Sequence, residues 1–405
     1  LEARVVEENL GDEARRRLRR ALQQLHRAQI STIHAYASAL LRERPAEARL
    51  DPQFHVLDEI ESLQLQRAFW RSWVDGELED PHGAPLLREA LVAGVRLEPD
   101  LQRLVRALYD NRDLEAALRL PVLPVDVEHR MRTLRDDVHA CVRHARTHCI
   151  DPRDRGAQHL QSLAHRFAAL DDLAPSAWPI VFLQDLRVDT KAGRRDQWAP
   201  GTAEANKAMR RCLQEQLQTL RQDLMSGVLA RALQWSRRYL AAYEAEKARL
   251  GVMDFQDLLL RARALLRDHL DVRRDLGQRL QMLCVDEFQD TDPLQAEMVF
   301  YLAEEQHGAT RWQDVQVGAK LFLVGDPKQS IYRFRRADLD VYRQCCDIVR
   351  RSGGEVLDIA QNFRSRPAIL HWVNGVFETL FGAGSEHPPQ PRHVPLVPLP
   401  IEATQ

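Results

Sequence analysis

The chain has 405 residues, 44% hydrophobic and 29% charged, and its 57 basic and 59 acidic side chains leave a formal net charge of −2. That length carries two or three cored domains; no apolar stretch reaches the roughly 18 residues of a membrane span, and the charged first thirty residues exclude a secretory signal. The charge balance provides no global basic field, so any nucleic-acid contact must be local. A cytoplasmic protein with no membrane partner is expected. Its six cysteines (Cys141, Cys149, Cys212, Cys284, Cys345, Cys346) contain no C-x-x-C pair and are expected to be reduced.

Residues 12–29, DEARRRLRRALQQLHRAQ, place Ala and Leu at helical spacing. The run RRRLRR reads as a solvated helix face, with a DNA contact as the alternative. The β-branched ISTIH predicts a short strand and AYASALLRER a second helix. From Pro45 to about Leu250 apolar residues recur near a period of 3.6, broken at DGELEDPHGAP, RLPVLPVDV, CIDPRDRG and DDLAPSAWP, which predicts an all-helical domain. Its last helix runs from about Ala203 to Arg249 and is stopped by Gly251. His139, Cys141, His144, His148 and Cys149 crowd one segment of this region. Structural zinc sites draw ligands from two separated segments, so this cluster reads as a partly exposed helix face.

After Gly251, MDFQDLLLRARALLRD predicts a helix. The runs MLCVD, KLFLVGD and EVLDIAQNF are strand-like and separated by helical sequence, which implies a parallel sheet. Asp286 and Glu287 leave the first strand in LCVDEFQD. At the carboxyl end of a parallel strand an Asp can hold Mg²⁺, and a neighbouring Glu can orient or deprotonate an attacking water. A surface acid pair capping the next helix is the alternative. The second strand leads through Gly325 and Asp326 to Tyr332 and Phe334, interleaved with Arg333, Arg335 and Arg336. Such a cluster offers ring faces to bases and cations to phosphates, or else ordinary core aromatics. Asn362, Phe363 and Arg364 stand at the third strand end, where an Arg can reach a phosphate.

The segments STIHAYASALLRE, VDEFQDTDPLQ, VGDPKQSIYRFRRAD and QNFRSRPAIL resemble, in this order, four motifs of the UvrD/RecB-like superfamily 1 DNA helicases. AQISTIHAYASALLRE, DPQFHVLDEIESLQLQ and MDFQDLLLRA are most similar to the helicase subunits of AddA- and RecB-type helicase-nucleases. The motifs cover residues 28–66 and 251–372; the helical region between them resembles the family in size, texture and position. The resemblance implies an α/β fold of the P-loop NTPase type. A RecA-like parallel-sheet motor domain would occupy residues 1–45 and 251–352, a large inserted all-helical domain residues 46–250, and the truncated start of a second RecA-like domain residues 353–405.

The implied activity is that of an ATP-dependent DNA helicase or translocase using ATP and Mg²⁺. It would act 3′ to 5′ on single-stranded DNA and duplex ends in double-strand-break repair and recombination, beside a nuclease partner subunit. The alternative is a non-hydrolysing, helicase-like DNA-binding subunit of a repair nuclease complex. Carried over residue by residue, Asp286 would serve Mg²⁺, Glu287 the attacking water, and Gln329 would sense the γ-phosphate. Phe363 would lie near the adenine and Arg364 would be an arginine finger. Tyr332, Phe334 and Arg335 would contact the DNA strand, and Thr32 and His34 its backbone.

Two departures stand out. Arg336 occupies a position where the family often has Gly, so the turn there is expected to suit a residue with a Cβ. No G-x-x-x-x-G-K-[ST] loop occurs, since none of the 18 glycines is followed by Lys. In the family that loop lies upstream of the first residue here and the closing motifs lie beyond the last. The chain is therefore expected to be the middle of a helicase, inactive as an ATPase alone.

Overall fold

The computed structural model describes residues 11–25, 28–79, 87–88, 91, 94–117, 127–168, 186–306, 308–381 and 394–398. The chain divides into two units, Leu1–Asp58 with Gly251–Gln405, and Glu59–Leu250.

In the first unit a helix over Asp12–Gln24 carries the arginine run, and a second spans Ile33–Glu43. Thr32 caps the second helix by accepting the Ala35 N–H on Oγ1 at 3.2 Å. The strand expected from ISTIH is therefore not formed. Capping chemistry outweighs the β preference of so short a run, and Ile33 begins the helix instead. His55–Val56 (β1) pairs in parallel with Val252–Met253 (β2), on either side of the second unit in sequence. This pairing draws residues 46–58, expected in the helical domain, into the first unit.

The helix Phe255–Asp268 begins at a reciprocal capping box. Asp254 accepts the Asp257 N–H at 2.7 Å, and the Asp257 carboxylate accepts the Asp254 N–H at 2.9 Å. Its buried residues Leu258, Leu259, Ala262, Leu265 and Leu266 join the core formed with the helices Ile33–Glu43 and Pro293–Ala303.

Leu283–Val285 (β3) and Leu321–Leu323 (β4) pair in parallel, with Leu283 opposite Leu321, Cys284 opposite Phe322 and Val285 opposite Leu323. The alternation of a strand turns Leu283, Val285, Leu321 and Leu323 toward the core and leaves Cys284 and Phe322 exposed. Of EVLDIAQNF only Gln361–Asn362 (β5) pairs, in parallel with Val397–Pro398 (β6). Residues 355–360 form no strand, and Leu357 and Ile359 stand 77% and 84% exposed. An apolar run becomes a strand only beside a neighbour that satisfies its backbone; here the Ala360 carbonyl accepts the Val397 N–H at 2.8 Å, and among the described residues no strand pairing extends back over 355–359. All pairings between strands are parallel, yet the described strands form three two-stranded pairs rather than one continuous sheet.

The second unit is organised on the helix Thr202–Leu250, 49 residues long, about 74 Å at 1.5 Å per residue. Gly251, at φ +67°, ends it in the left-handed conformation. Leu213, Leu217, Leu220 and Leu224 pack with the helices Val127–His148 and Arg155–Ala168. Further along, Trp235, Tyr239 and Tyr243 pack with Glu59–Glu79 and Gln102–Asp110 in a separate core. The buried Glu77 there accepts from the Trp235 indole at 3.0 Å and from Arg238 at 2.9 Å. In the cysteine–histidine segment Cys141 faces the core, while the His144 and His148 rings lie 4.6 Å apart, partly exposed. Among the described residues no three His, Cys, Asp or Glu gather as a metal site, and no helix is long and apolar enough to cross a membrane. All six cysteines are free.

Candidate functional site

The parallel pairing of β3 with β4 brings their carboxyl ends to one edge, and the two loops that leave there are clasped together. Asp286 and Glu287 are exposed, and Asp286 Oδ1 accepts the Glu287 N–H at 2.9 Å. Glu287 sits at φ +52°, a conformation that costs a non-glycine residue energy and persists only where neighbours hold it. Its neighbours are well anchored. The turn Phe288–Asp290 buries Phe288 and Gln289, at 3% and 2% exposure. The Phe288 N–H donates to the Val324 carbonyl at 2.8 Å.

Gln289 joins the two loops. Its Nε2 donates to Glu287 Oε2 at 2.6 Å, and its Oε1 accepts the Asp326 N–H at 3.0 Å. Its carbonyl accepts the Ser330 hydroxyl at 3.1 Å. A Cβ at Gly325 would lie 2.8 Å from Gln289 Oε1 and 3.1 Å from its backbone nitrogen, so the close approach of the two loops requires glycine there. Asp290 Oδ1 is buried without a hydrogen-bond partner; burial, then the charge of Glu287, raise the Asp290 carboxyl above its ordinary range.

In the β4 loop, Gln329 Nε2 donates to Asp326 Oδ2 at 3.1 Å, and Asp326 Oδ1 caps the Lys328 N–H at 3.0 Å. The structure thus brings Asp286, Glu287 and Gln329 to one edge. Beyond Ser330 the Tyr332 and Phe334 ring centroids are 5.7 Å apart, with the Arg335 guanidinium 5.5 Å from the first and 5.8 Å from the second. Phe334 is 78% exposed and Tyr332 half-buried. Arg336 closes this turn at φ +71°, so the turn favours glycine and Arg336 occupies it at a conformational cost, contrary to expectation.

The remaining predicted site residues lie apart from this cluster in their contacts. Thr32 is occupied as an N-cap. The His34 ring meets Phe255 edge-on at 5.8 Å; burial lowers its pKa, opposed by the charge of Asp292. Asn362 Oδ1 accepts the N–H groups of Arg364 at 2.9 Å and Ser365 at 2.8 Å, a local turn that leaves Phe363 and Arg364 exposed. The sequence pattern gives no role to Gln289 or Ser330 and marks Gly325 only as the end of a strand. The available signals were the Gln two positions after the acid pair and the Gly directly before Asp326.

The model of the UvrD/REP helicase N-terminal domain matches residues 8–347. The A subunit of the ATP-dependent helicase/nuclease of Listeria welshimeri is 24% identical over 90% of this chain and 32% of its own length. The proteins of the same name from Listeria monocytogenes and Bacillus licheniformis are each 26% identical over 90% of this chain, covering 32% and 33% of their lengths. The chain spans about a third of the length of the curated relatives it matches. With the match running from the arginine-rich first helix through both clasped loops to the helix Leu339–Arg351, the chain belongs to the UvrD/REP helicase N-terminal domain family.

Proposed function

We propose that this chain forms part of an ATP-driven DNA helicase subunit that works in double-strand-break repair and recombination, moving 3′ to 5′ on single-stranded DNA entered from duplex ends. The observation that carries the reading is the clasp. An exposed acid pair after one parallel strand is hydrogen-bonded, through Gln289, to the loop of the next strand, and that loop runs on into exposed aromatic and arginine side chains. In this reading residues 1–58 and 251–352 belong to one RecA-like motor domain, 59–250 to an inserted domain, and 353–405 to the start of a second motor domain.

The exposed carboxylates of Asp286 and Glu287 are hard oxygen donors at a strand end and fit a divalent cation beside a phosphate chain. Mg²⁺, when bound with ATP, neutralises phosphate charge. Asp286 would hold that ion, and Glu287 would accept a proton from the attacking water on the carboxylate to which Gln289 donates. Gln329 senses the γ-phosphate from the adjacent loop. The exposed Arg364 side chain is available as an arginine finger, and the exposed Phe363 ring as a cover for adenine. Tyr332 and Phe334 offer faces to bases, Arg335 a cation to phosphate, and Thr32 and His34 contacts to the DNA backbone. The relatives are named as subunits of a helicase/nuclease, which supports a nuclease partner.

The test uses the full-length protein containing this sequence. Glu287→Gln keeps Mg-ATP binding while hydrolysis falls by ~10²–10⁴-fold, and Arg364→Ala also lowers turnover. A wild-type protein without DNA-stimulated ATP hydrolysis overturns the reading.

A further inference from the structure

Gln289 is the most completely used side chain at the strand edge, and no role in nucleotide or DNA contact accounts for it. It is buried, so it cannot touch either ligand without leaving its place. Its amide has two ends and each is committed to a different loop: the donor end to the Glu287 carboxylate, the acceptor end to the backbone of Asp326. Its own carbonyl holds Ser330, two residues before Tyr332. A shift of the Glu287 carboxylate is therefore passed along one rigid planar group to the turn that leads to the aromatic pair.

Neighbouring features narrow the choice of residue. Glu287 is in a left-handed conformation, and the bond from Gln289 is one of the contacts that keeps its carboxylate turned back over the clasp. Gly325 makes room for the amide oxygen, so the clasp closes around Gln289 rather than merely touching it. A hydrocarbon of the same length would fill the space and leave both ends unbonded. Glutamate would keep an acceptor for Asp326 but set a second negative charge against Glu287.

We propose that Gln289 is a positioning residue that couples the nucleotide side of the site to the DNA side, by holding the Glu287 carboxylate and the Asp326–Ser330 turn in one hydrogen-bonded unit. The proposal rests on the motor reading above. It goes beyond that reading in assigning the coupling to a buried amide rather than to a ligand-contacting residue. Coupling here is a measurable quantity, the factor by which bound nucleotide changes the affinity for single-stranded DNA, and it is reciprocal.

The experiment measures, on the full-length protein, single-stranded DNA affinity with and without a non-hydrolysable ATP analogue, and analogue affinity with and without DNA. Wild type is expected to show a coupling factor in the range of about 5–150 that is common for linked sites. Gln289→Met is expected to bring that factor to within about twofold of unity while each separate affinity stays within about threefold, the pattern of a lost link rather than a lost site. If Gln289→Met does not fold, Gln289→Glu decides. Its coupling is lost as well, because a carboxylate offers no donor to Glu287 and adds a second negative charge beside it. Coupling of wild-type size in whichever of the two folds overturns the proposal and leaves the motor reading standing. A wild type that binds no ATP analogue removes the motor reading and the proposal with it.

Discussion

The guanidinium of Arg273, wholly buried, lies 3.1 Å from the carboxylate of Glu304, itself 3% exposed. The two meet as an ion pair by distance but off hydrogen-bond alignment. The other Glu304 oxygen accepts the N–H groups of Gly308 at 3.0 Å and Ala309 at 2.8 Å, and Arg273 Nη2 donates to the Ala309 carbonyl at 3.0 Å. The pair therefore ties the helix Leu270–Arg279 to the end of Pro293–Ala303 and fixes the start of the connection to β4.

Removing one partner strands the other charge without solvent. Glu304→Ala and Arg273→Ala are each expected to cost about 3–5 kcal/mol, and the double variant less than the sum. Urea unfolding of the three variants gives the comparison; strict additivity contradicts it.

Phe334 and Tyr332 separate surface work from packing. Phe334 is 78% exposed, so Phe334→Ala should leave the unfolding midpoint nearly unchanged while weakening single-strand binding by ~1–3 kcal/mol, with little sequence preference. Tyr332 is half-buried, and Tyr332→Ala should lower both quantities. Fluorescence anisotropy and a melt on the same samples check both. Unchanged affinity in Phe334→Ala rules out stacking by that ring.

Two left-handed positions should respond with opposite signs. Gly251→Ala, at φ +67°, is expected to lose about 1 kcal/mol because a Cβ crowds the following carbonyl. Arg336→Gly, at φ +71°, is expected to gain up to about 1 kcal/mol for the same reason reversed. Denaturant midpoints with unchanged slopes measure each.

His159 supplies a pH signature within the second unit. Its Nε2 accepts the Asp189 N–H at 2.9 Å, so the folded ring is neutral, and burial lowers its pKa below the ordinary 6.5. The unfolded chain takes up the proton more readily than the folded one. The contribution to stability is therefore complete above 6.5 and is lost as the pH falls through 6.5 toward the depressed folded value. His159→Gln keeps an acceptor without the titration and should flatten the fall in unfolding midpoint between about pH 7.5 and pH 5.5. An equal fall in both proteins removes His159 as its source.

The elements legible in the sequence were those whose pattern is long or whose ends are marked. The helix Thr202–Leu250 has many turns of periodic apolar positions and a glycine stop, and Phe255–Asp268 is announced by Asp254 and Asp257. β3 and β4 were legible as apolar runs that end in polar turns. ISTIH misled because a threonine serves equally as strand former and helix cap, and the choice between them is made by the residues after it. β1 is illegible in the sequence because two residues carry no period and its partner lies beyond the whole second unit. At the site, Asp286, Glu287 and Gln329 could be placed from strand ends. Gln289 could not, because its second partner, Asp326, lies across a helix and a loop in sequence and meets it only through strand pairing.

The helix Thr202–Leu250 passes from one core to another, and the passage has a seam. Leu224 is the last residue of the first core and Ala232 begins the second; between them Met225 and Leu229 stand 46% and 48% exposed. Gly227 and Ala230 are buried between the two cores without joining either, and a glycine inside a helix weakens it by about 1 kcal/mol relative to alanine. Continuous backbone hydrogen bonding hides this division, but amide exchange will reveal it as two cooperative opening units with separate protection, meeting near Gly227. A destabilising change in either core then loosens its own half of the rod first, and the other half keeps its protection until global unfolding.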